Sequence, residues 1–222
     1  MLIEKLEELF TTNTPFAFSR FNDGEVGGIL STNFVASRGA QKVTRDLQLK
    51  LIEAIKFKQK DYWIGIPCSE CYPEYSKAAS EFVNEYEYTT LAVDLINKNY
   101  KTTQAIFKRN FNNRDVYWIG GEDQNINKVV QEYSFNLVHQ YKLPSFDSAS
   151  SYKDIKDLYK VFKENSIVII SSGPLERVLA KEWFEKNNKV TYLGLGSFFD
   201  PLTRGVVHGY HTGSTKKCKI CN

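Results

Sequence analysis

The sequence contains neither a Walker loop nor a full Gly-x-Gly-x-x-Gly, so two familiar phosphate cradles are excluded as the basis of any nucleotide site. It has no apolar run approaching the length that spans a bilayer, which argues against a helical membrane protein. Blocks of one charge sign are also missing. The 29 Lys+Arg and 26 Asp+Glu residues are interspersed and leave a net charge of only +3, so no nucleic-acid groove is expected. No internal repeat, low-complexity tract or linker divides the chain, and a single domain over 1–222 is expected. The first residues read as an amphipathic helix, not as a basic start followed by an apolar core. That pattern is unlike a conventional signal peptide, and a cytoplasmic protein is the expectation.

What is present is an ordinary globular composition over 222 residues, 42% hydrophobic and 25% charged, with 14% aromatics. Such a chain can bury a substantial core with aromatic-rich packing. Short apolar runs rich in β-branched and aromatic residues predict strands over Phe16–Arg20, Tyr62–Ile66, Val116–Gly120, Phe135–His139, Ser166–Ser171 and Val190–Leu195. Amphipathic segments predict helices over Glu4–Phe10, Glu25–Leu30, Arg45–Phe57, Tyr75–Glu85, Thr90–Lys98, Asp154–Lys163 and Leu175–Asn187. Continuous apolar strands alternating with helices predict an α/β fold, a mostly parallel sheet of about six strands with helices on both faces. Such sheets bind ligands beyond the carboxyl ends of their strands. Asp23, Cys68, Gly121, Gly173 and Gly196 all follow predicted strand ends, so they are expected on one rim.

The most pointed chemistry lies at Ser19-Arg20-Phe21-Asn22-Asp23-Gly24-Glu25. Asp23 and Glu25 flank a glycine just past a strand and can share one hard cation. Cations held by one or two carboxylates complete their shell with water and phosphate oxygens. Arg20 would share the anionic ligand. A second signal is Ser171-Ser172-Gly173-Pro174-Leu175, a strand, a small-residue turn and a helix start. Pro174 suits a first helical turn, and the open amides there favour an anion or ribose. Gly194-Leu195-Gly196-Ser197 then permits close backbone approach, with Asp200 projecting over the rim. Arg204, His208 and His211 follow in a glycine-rich tail with no predicted helix, where contact with an acceptor or solvent is expected in preference to a metal role. His139 reads as a buried strand histidine. Tyr62, Trp63 and Trp118 read as core, with sugar stacking the alternative.

The four cysteines, Cys68, Cys71, Cys218 and Cys221, form two Cys-x-x-Cys pairs. Each pair suits half of a tetrahedral thiolate site. If the fold unites them, zinc would staple the tail, about 201–222, onto the loop after the second predicted strand. Buried thiols beside a frayed tail, local disulfides or a redox dithiol are the alternatives.

Together these segments resemble the GT-D-fold glycosyltransferases, a group formerly known only as a domain of unknown function. The resemblance rests on Arg20-Phe21-Asn22-Asp23-Gly24-Glu25, on Ser171–Leu175 and on Gly194–Ser197, and spans residues 16 to about 200. It implies a single Rossmann-like domain, a UDP-sugar donor and Mn²⁺ or Mg²⁺ bridging the diphosphate, with Asp23 and Glu25 in the metal role. Arg20, Asn22, Gly24, Ser172, Gly173, Pro174, Gly196 and Ser197 would surround the donor, and a glycan or glycoprotein would be the acceptor. Asp200 is the preferred proton acceptor, ahead of Glu122, Asp123 and Glu70. The cysteine pairs and the histidine-containing tail depart from the family's pattern. Two other function classes remain: another metal-dependent phosphate-ester enzyme, such as a phosphohydrolase or nucleotidyltransferase, and a non-catalytic zinc-containing module that binds nucleic acid.

Overall fold

The computed structural model describes residues 2–32, 43–83, 90–91, 96, 98–145 and 147–213. Among these residues, seven parallel strands form one sheet in the order β3-β2-β1-β7-β6-β4-β5. They are β1 (Ala17–Arg20), β2 (Tyr62–Ile66), β3 (Thr90–Leu91), β4 (Asp115–Gly121), β5 (Asn136–Leu143), β6 (Ile167–Ser171) and β7 (Thr191–Gly194). The six expected strands are all present. The seventh, β3, pairs Thr90 and Leu91 with Gly65 and Ile66, which corrects the start of the helix expected over Thr90–Lys98; most of the rest of that segment lies outside the described residues.

Neighbouring residues along each apolar strand serve opposite faces. Ala17, Ile64, Ile119, Ile170 and Tyr192 pack with α2 (Asp23–Leu30), α3 (Arg45–Lys56), α4 (Pro73–Phe82), α7 (Tyr152–Ile155) and α8 (Leu175–Lys186). Phe18, Trp63, Trp118, Ile169 and Leu193 pack with α1 (Leu2–Thr11), α5 (Tyr100–Phe111) and α6 (Asn127–Tyr133). Tyr62, Trp63 and Trp118 are thus core residues and offer no stacking surface. Leu47, Leu51, Ala54 and Ile55 form the buried stripe of α3, as their spacing predicts.

Two further expectations are corrected. The helix expected over Asp154–Lys163 breaks into α7 and a tight turn at Leu158–Lys160. Its carbonyls have tertiary partners: Lys156 O accepts from the Trp183 indole at 2.9 Å and Tyr159 O from the Asn187 side chain at 3.1 Å. His139 is exposed, not buried, because β5 is an edge strand whose residues are mostly half-covered.

The site's position follows from strand order. The connection after β6 runs to β7, toward β1, whereas the connection after β4 runs outward to β5. Connection direction therefore reverses between β6 and β4, and the chain leaves the carboxyl ends of these strands with a crevice between diverging loops.

Candidate functional site

A cleft of about 440 Å³ opens at this edge. Its walls come from the loops after β1, β4, β5, β6 and β7, through Arg20–Glu25, Gly121 and Asp123, Ser145 and Ser148, Ser171–Arg177, and Gly196–Val206. It gathers Arg20, Asn22, Asp23, Gly24, Glu25, Ser172, Gly173, Pro174, Gly196, Ser197, Asp200 and Arg204, all expected from sequence to meet. Gly121 joins them, but Cys68, Glu70 and Glu122 are not among the lining residues.

The first wall is the bend from β1 into α2. The Asn22 N–H donates to Glu25 Oε2 at 2.9 Å, which closes the helix N-terminus and turns Glu25 inward. Glu25 Oε1 pairs with Arg177 Nη2 at 3.2 Å. Asp23 stands at the start of the same helix. Burial, and then the neighbouring Glu25 charge, raise its pKa, while Arg20 opposes them.

The facing wall is the turn from β6 into α8. Gly173 takes a left-handed φ of 59°, a conformation that costs glycine little. The Ser172 carbonyl accepts from Ser148 Oγ at 2.6 Å, whereas Ser172 Oγ, in the cleft wall, has no hydrogen-bond partner among the described residues. Below the turn, Trp118 Nε1 donates to Gln124 Oε1 at 2.9 Å, and Gln124 Nε2 donates to Ser171 Oγ at 2.8 Å.

Between the walls lies a buried ionic cluster. Glu176 is fully buried; its Oε1 accepts from the Gly196 N–H at 3.1 Å, and its Oε2 faces Arg177 Nη1 at 2.9 Å. Burial raises the Glu176 pKa to about 7 against the pull of Arg177, with Glu25 adding to the rise. Sequence inspection misses both residues, because charges in a first helical turn look like an exposed face. The available signal is their place: two ionisable residues directly after a strand–Gly-Pro turn.

The third wall carries Asp200. Its Oδ1 pairs with Arg204 Nη1 at 3.0 Å and its Oδ2 meets His208 Nε2 at 3.1 Å. Arg204 also holds Asp123 through two contacts at 2.7 and 3.2 Å. The tail expectation is corrected here. Residues Gly209–Thr212 form a short helix, α9, which His211 caps by accepting the His208 N–H at Nδ1, 2.9 Å away. His211 is buried against Tyr100 and Tyr210 and does not line the cleft. Burial, then His208, lower its pKa to about 4.

A divalent cation fits one part of this site. Asp23 is a half-buried carboxylate whose ionisation both burial and Glu25 resist, and a cation would relieve that. No group of three or more His, Cys, Asp or Glu among the described residues is placed to hold a metal alone. Glu25 already accepts the Asn22 N–H and pairs with Arg177, so an ion here would lean on Asp23 and take most of its other ligands from water and phosphate. Of the cysteines, Cys68 is buried and Cys71 exposed; Cys218 and Cys221 lie outside the described residues.

The one-sheet α/β fold is shared with solved structures of the domain of unknown function 1792. The chain superposes on a domain of unknown function 1792 solved in selenomethionine-substituted form, with TM-score 0.71 and 15% identity over 97% of this chain and 82% of that one. A structure of the same domain described as having a distinct glycosyltransferase fold gives TM-score 0.68 and 17% identity over 97% and 82%. A new glycosyltransferase (DUF1792) from Streptococcus sanguinis gives TM-score 0.71 and 14% identity over 97% and 85%. The sequence matches no family model and no curated protein.

Proposed function

We propose that this chain is a glycosyltransferase that moves a sugar from a nucleotide-sugar donor, a UDP-sugar, to a glycan or glycoprotein acceptor. The observation that carries this reading is the meeting, in one cleft, of the Arg20–Glu25 bend and the Ser171–Pro174 turn. They come from strands that are not neighbours, with β7 between them. A diphosphate lying across that gap would meet Arg20 on one side and the dipole of the twelve-residue α8 on the other.

Arg20 supplies fixed positive potential where charge develops on the leaving nucleoside diphosphate, which is electrostatic preorganisation. Ser172 Oγ turns toward a phosphate or ribose oxygen. Mn²⁺ or Mg²⁺, held by Asp23 with Glu25 contributing directly or through water, would supply Lewis-acid stabilisation of the same charge. In an inverting transfer, Asp200 takes the acceptor hydroxyl proton at the carboxylate that Arg204 and His208 hold in place.

The test combines binding and turnover. UDP with Mn²⁺ is expected to raise the melting temperature, EDTA to abolish the rise, and a panel of UDP-sugars to include one from which UDP is released. Asp23→Asn is expected to lower that release by ~10²–10³-fold, the scale of one lost electrostatic stabiliser. The same substitution should raise the melting temperature of the ligand-free protein, because it removes a carboxylate that its surroundings disfavour. Turnover of phosphomonoesters without UDP release, or equal shifts from unrelated ligands, would overturn the proposal.

A further inference from the structure

We infer that Arg177 is the positioning residue of the donor site: it locks the carboxylate bend after β1 to the small-residue turn after β6, so that both walls of the cleft keep one geometry. The inference rests on the glycosyltransferase reading for its catalytic consequence, but not for the lock itself.

The guanidinium is 2% exposed and sits in the first turn of α8. Its Nε donates to the carbonyl of Arg20, the last residue of β1. That carbonyl lies one residue beyond the last β1–β7 pair, Ser19 with Gly194, so the guanidinium takes over where the sheet's pairing ends. Nη1 donates to the Gly173 carbonyl at 2.9 Å, and Nη2 pairs with Glu25 Oε1 at 3.2 Å. One planar group therefore grips the bend at two points and the turn at one, reaching past the end of the intervening strand β7. Glu176, paired with the same guanidinium, fixes the loop after β7 through the Gly196 amide.

A planar fork with five N–H donors can serve these acceptors together; a lysine ammonium with three donors at one point cannot. Arg177 lines the cleft wall, and its guanidinium is engaged by the Arg20 and Gly173 carbonyls and by the Glu25 and Glu176 carboxylates. Its influence on transfer runs through Asp23, Glu25 and the Gly173 turn. Displacing those by about an ångström is enough for a ~10²-fold loss in turnover.

Two variants separate positioning from general stability. Arg177→Lys keeps the charge and loses the fork. Arg177→Met with Glu176→Gln removes one buried charge of each sign, so the fully buried Glu176 position is not left with an unpaired charge, while Glu25 loses its guanidinium partner and keeps the Asn22 N–H. Each variant is measured by hydrogen exchange in peptides covering 20–28 and 171–178, by melting temperature, and by kcat and acceptor KM for the UDP-sugar that wild type turns over.

In both variants, exchange is expected to rise in both peptides while the remainder of the sheet stays protected. kcat should fall ~10²-fold with acceptor KM changed less than about threefold. Unchanged exchange in 20–28 would overturn the lock. So would a double variant that turns over like wild type, because recovered folding would then be all that Arg177 supplies. If wild type itself turns over no UDP-sugar, the functional proposal fails, and the exchange measurement still decides the lock.

Discussion

Glu176→Gln tests the buried cluster quantitatively. Glu176 has no exposure, and burial raises its pKa from 4.5 to about 7. In the unfolded chain it ionises near the ordinary value, so between about pH 4.5 and 7 the native state binds more protons than the unfolded state. Stability from this group is therefore fully present below pH 4.5 and is lost as pH rises through 7. Complete loss amounts to about 3 kcal/mol, from about 1.4 kcal/mol for each tenfold change in proton affinity. Glutamine cannot ionise and lacks this slope. It keeps an oxygen for the Gly196 N–H but turns an amide toward Arg177 Nη1, a pH-independent cost of about 1–3 kcal/mol. A single pH would mix the two effects, so the assay is urea unfolding of both proteins from pH 4.5 to 8.5. The stability difference, variant minus wild type, is expected to move in the variant's favour by about 3 kcal/mol across that range. A difference that stays constant with pH would mean that Glu176 ionises as readily in the fold as outside it, and the burial argument would fail.

Two other perturbations probe the supports of the cleft. A Cβ on Gly120 would stand 2.0 Å from Gln124 Oε1 and 2.6 Å from Trp118 Nε1. Gly120→Ala should therefore break the Trp118–Gln124–Ser171 chain and cost about 1–3 kcal/mol in chemical denaturation; an unchanged midpoint would show that the chain shifts freely. His211 stays neutral in the fold, with its pKa lowered to about 4, so stability falls as pH drops from 6.5 toward 4 while the unfolded chain takes up the proton. In His211→Phe this acid-side loss should shrink in melting curves, and an identical loss in both proteins would place its origin elsewhere.

The fold was legible where burial writes a simple pattern. Ile167–Ile170 is apolar at every position because both faces of β6 are covered, and the predicted strand matches the observed one closely. β3 was not legible, since two residues beside β2 owe their strand state to pairing and not to any local period. Helix α5 escaped because Thr103 takes a fully buried position in its apolar face. The carboxylate bend and the Gly-Pro turn announced themselves by following strands. Arg177 did not, because what defines it is the Arg20 carbonyl, far away in sequence and brought close only by strand order. The cap made by His211 was hidden for a different reason: its side chain satisfies a local backbone amide, a use of histidine that no spacing rule marks.

β1 pairs with β2 through Ala17 and Tyr62, and with β7 through Ala17 and Tyr192. One partner is available early in synthesis and the other only after the remaining described strands have been made. A nascent chain can thus assemble much of the sheet while the slot beside β1 stays empty, and closing so long a loop is the slow kind of step in folding. The cleft should form abruptly, when β7 is inserted, so under the proposed function a nucleotide-sugar added during refolding would report that insertion and little of what precedes it.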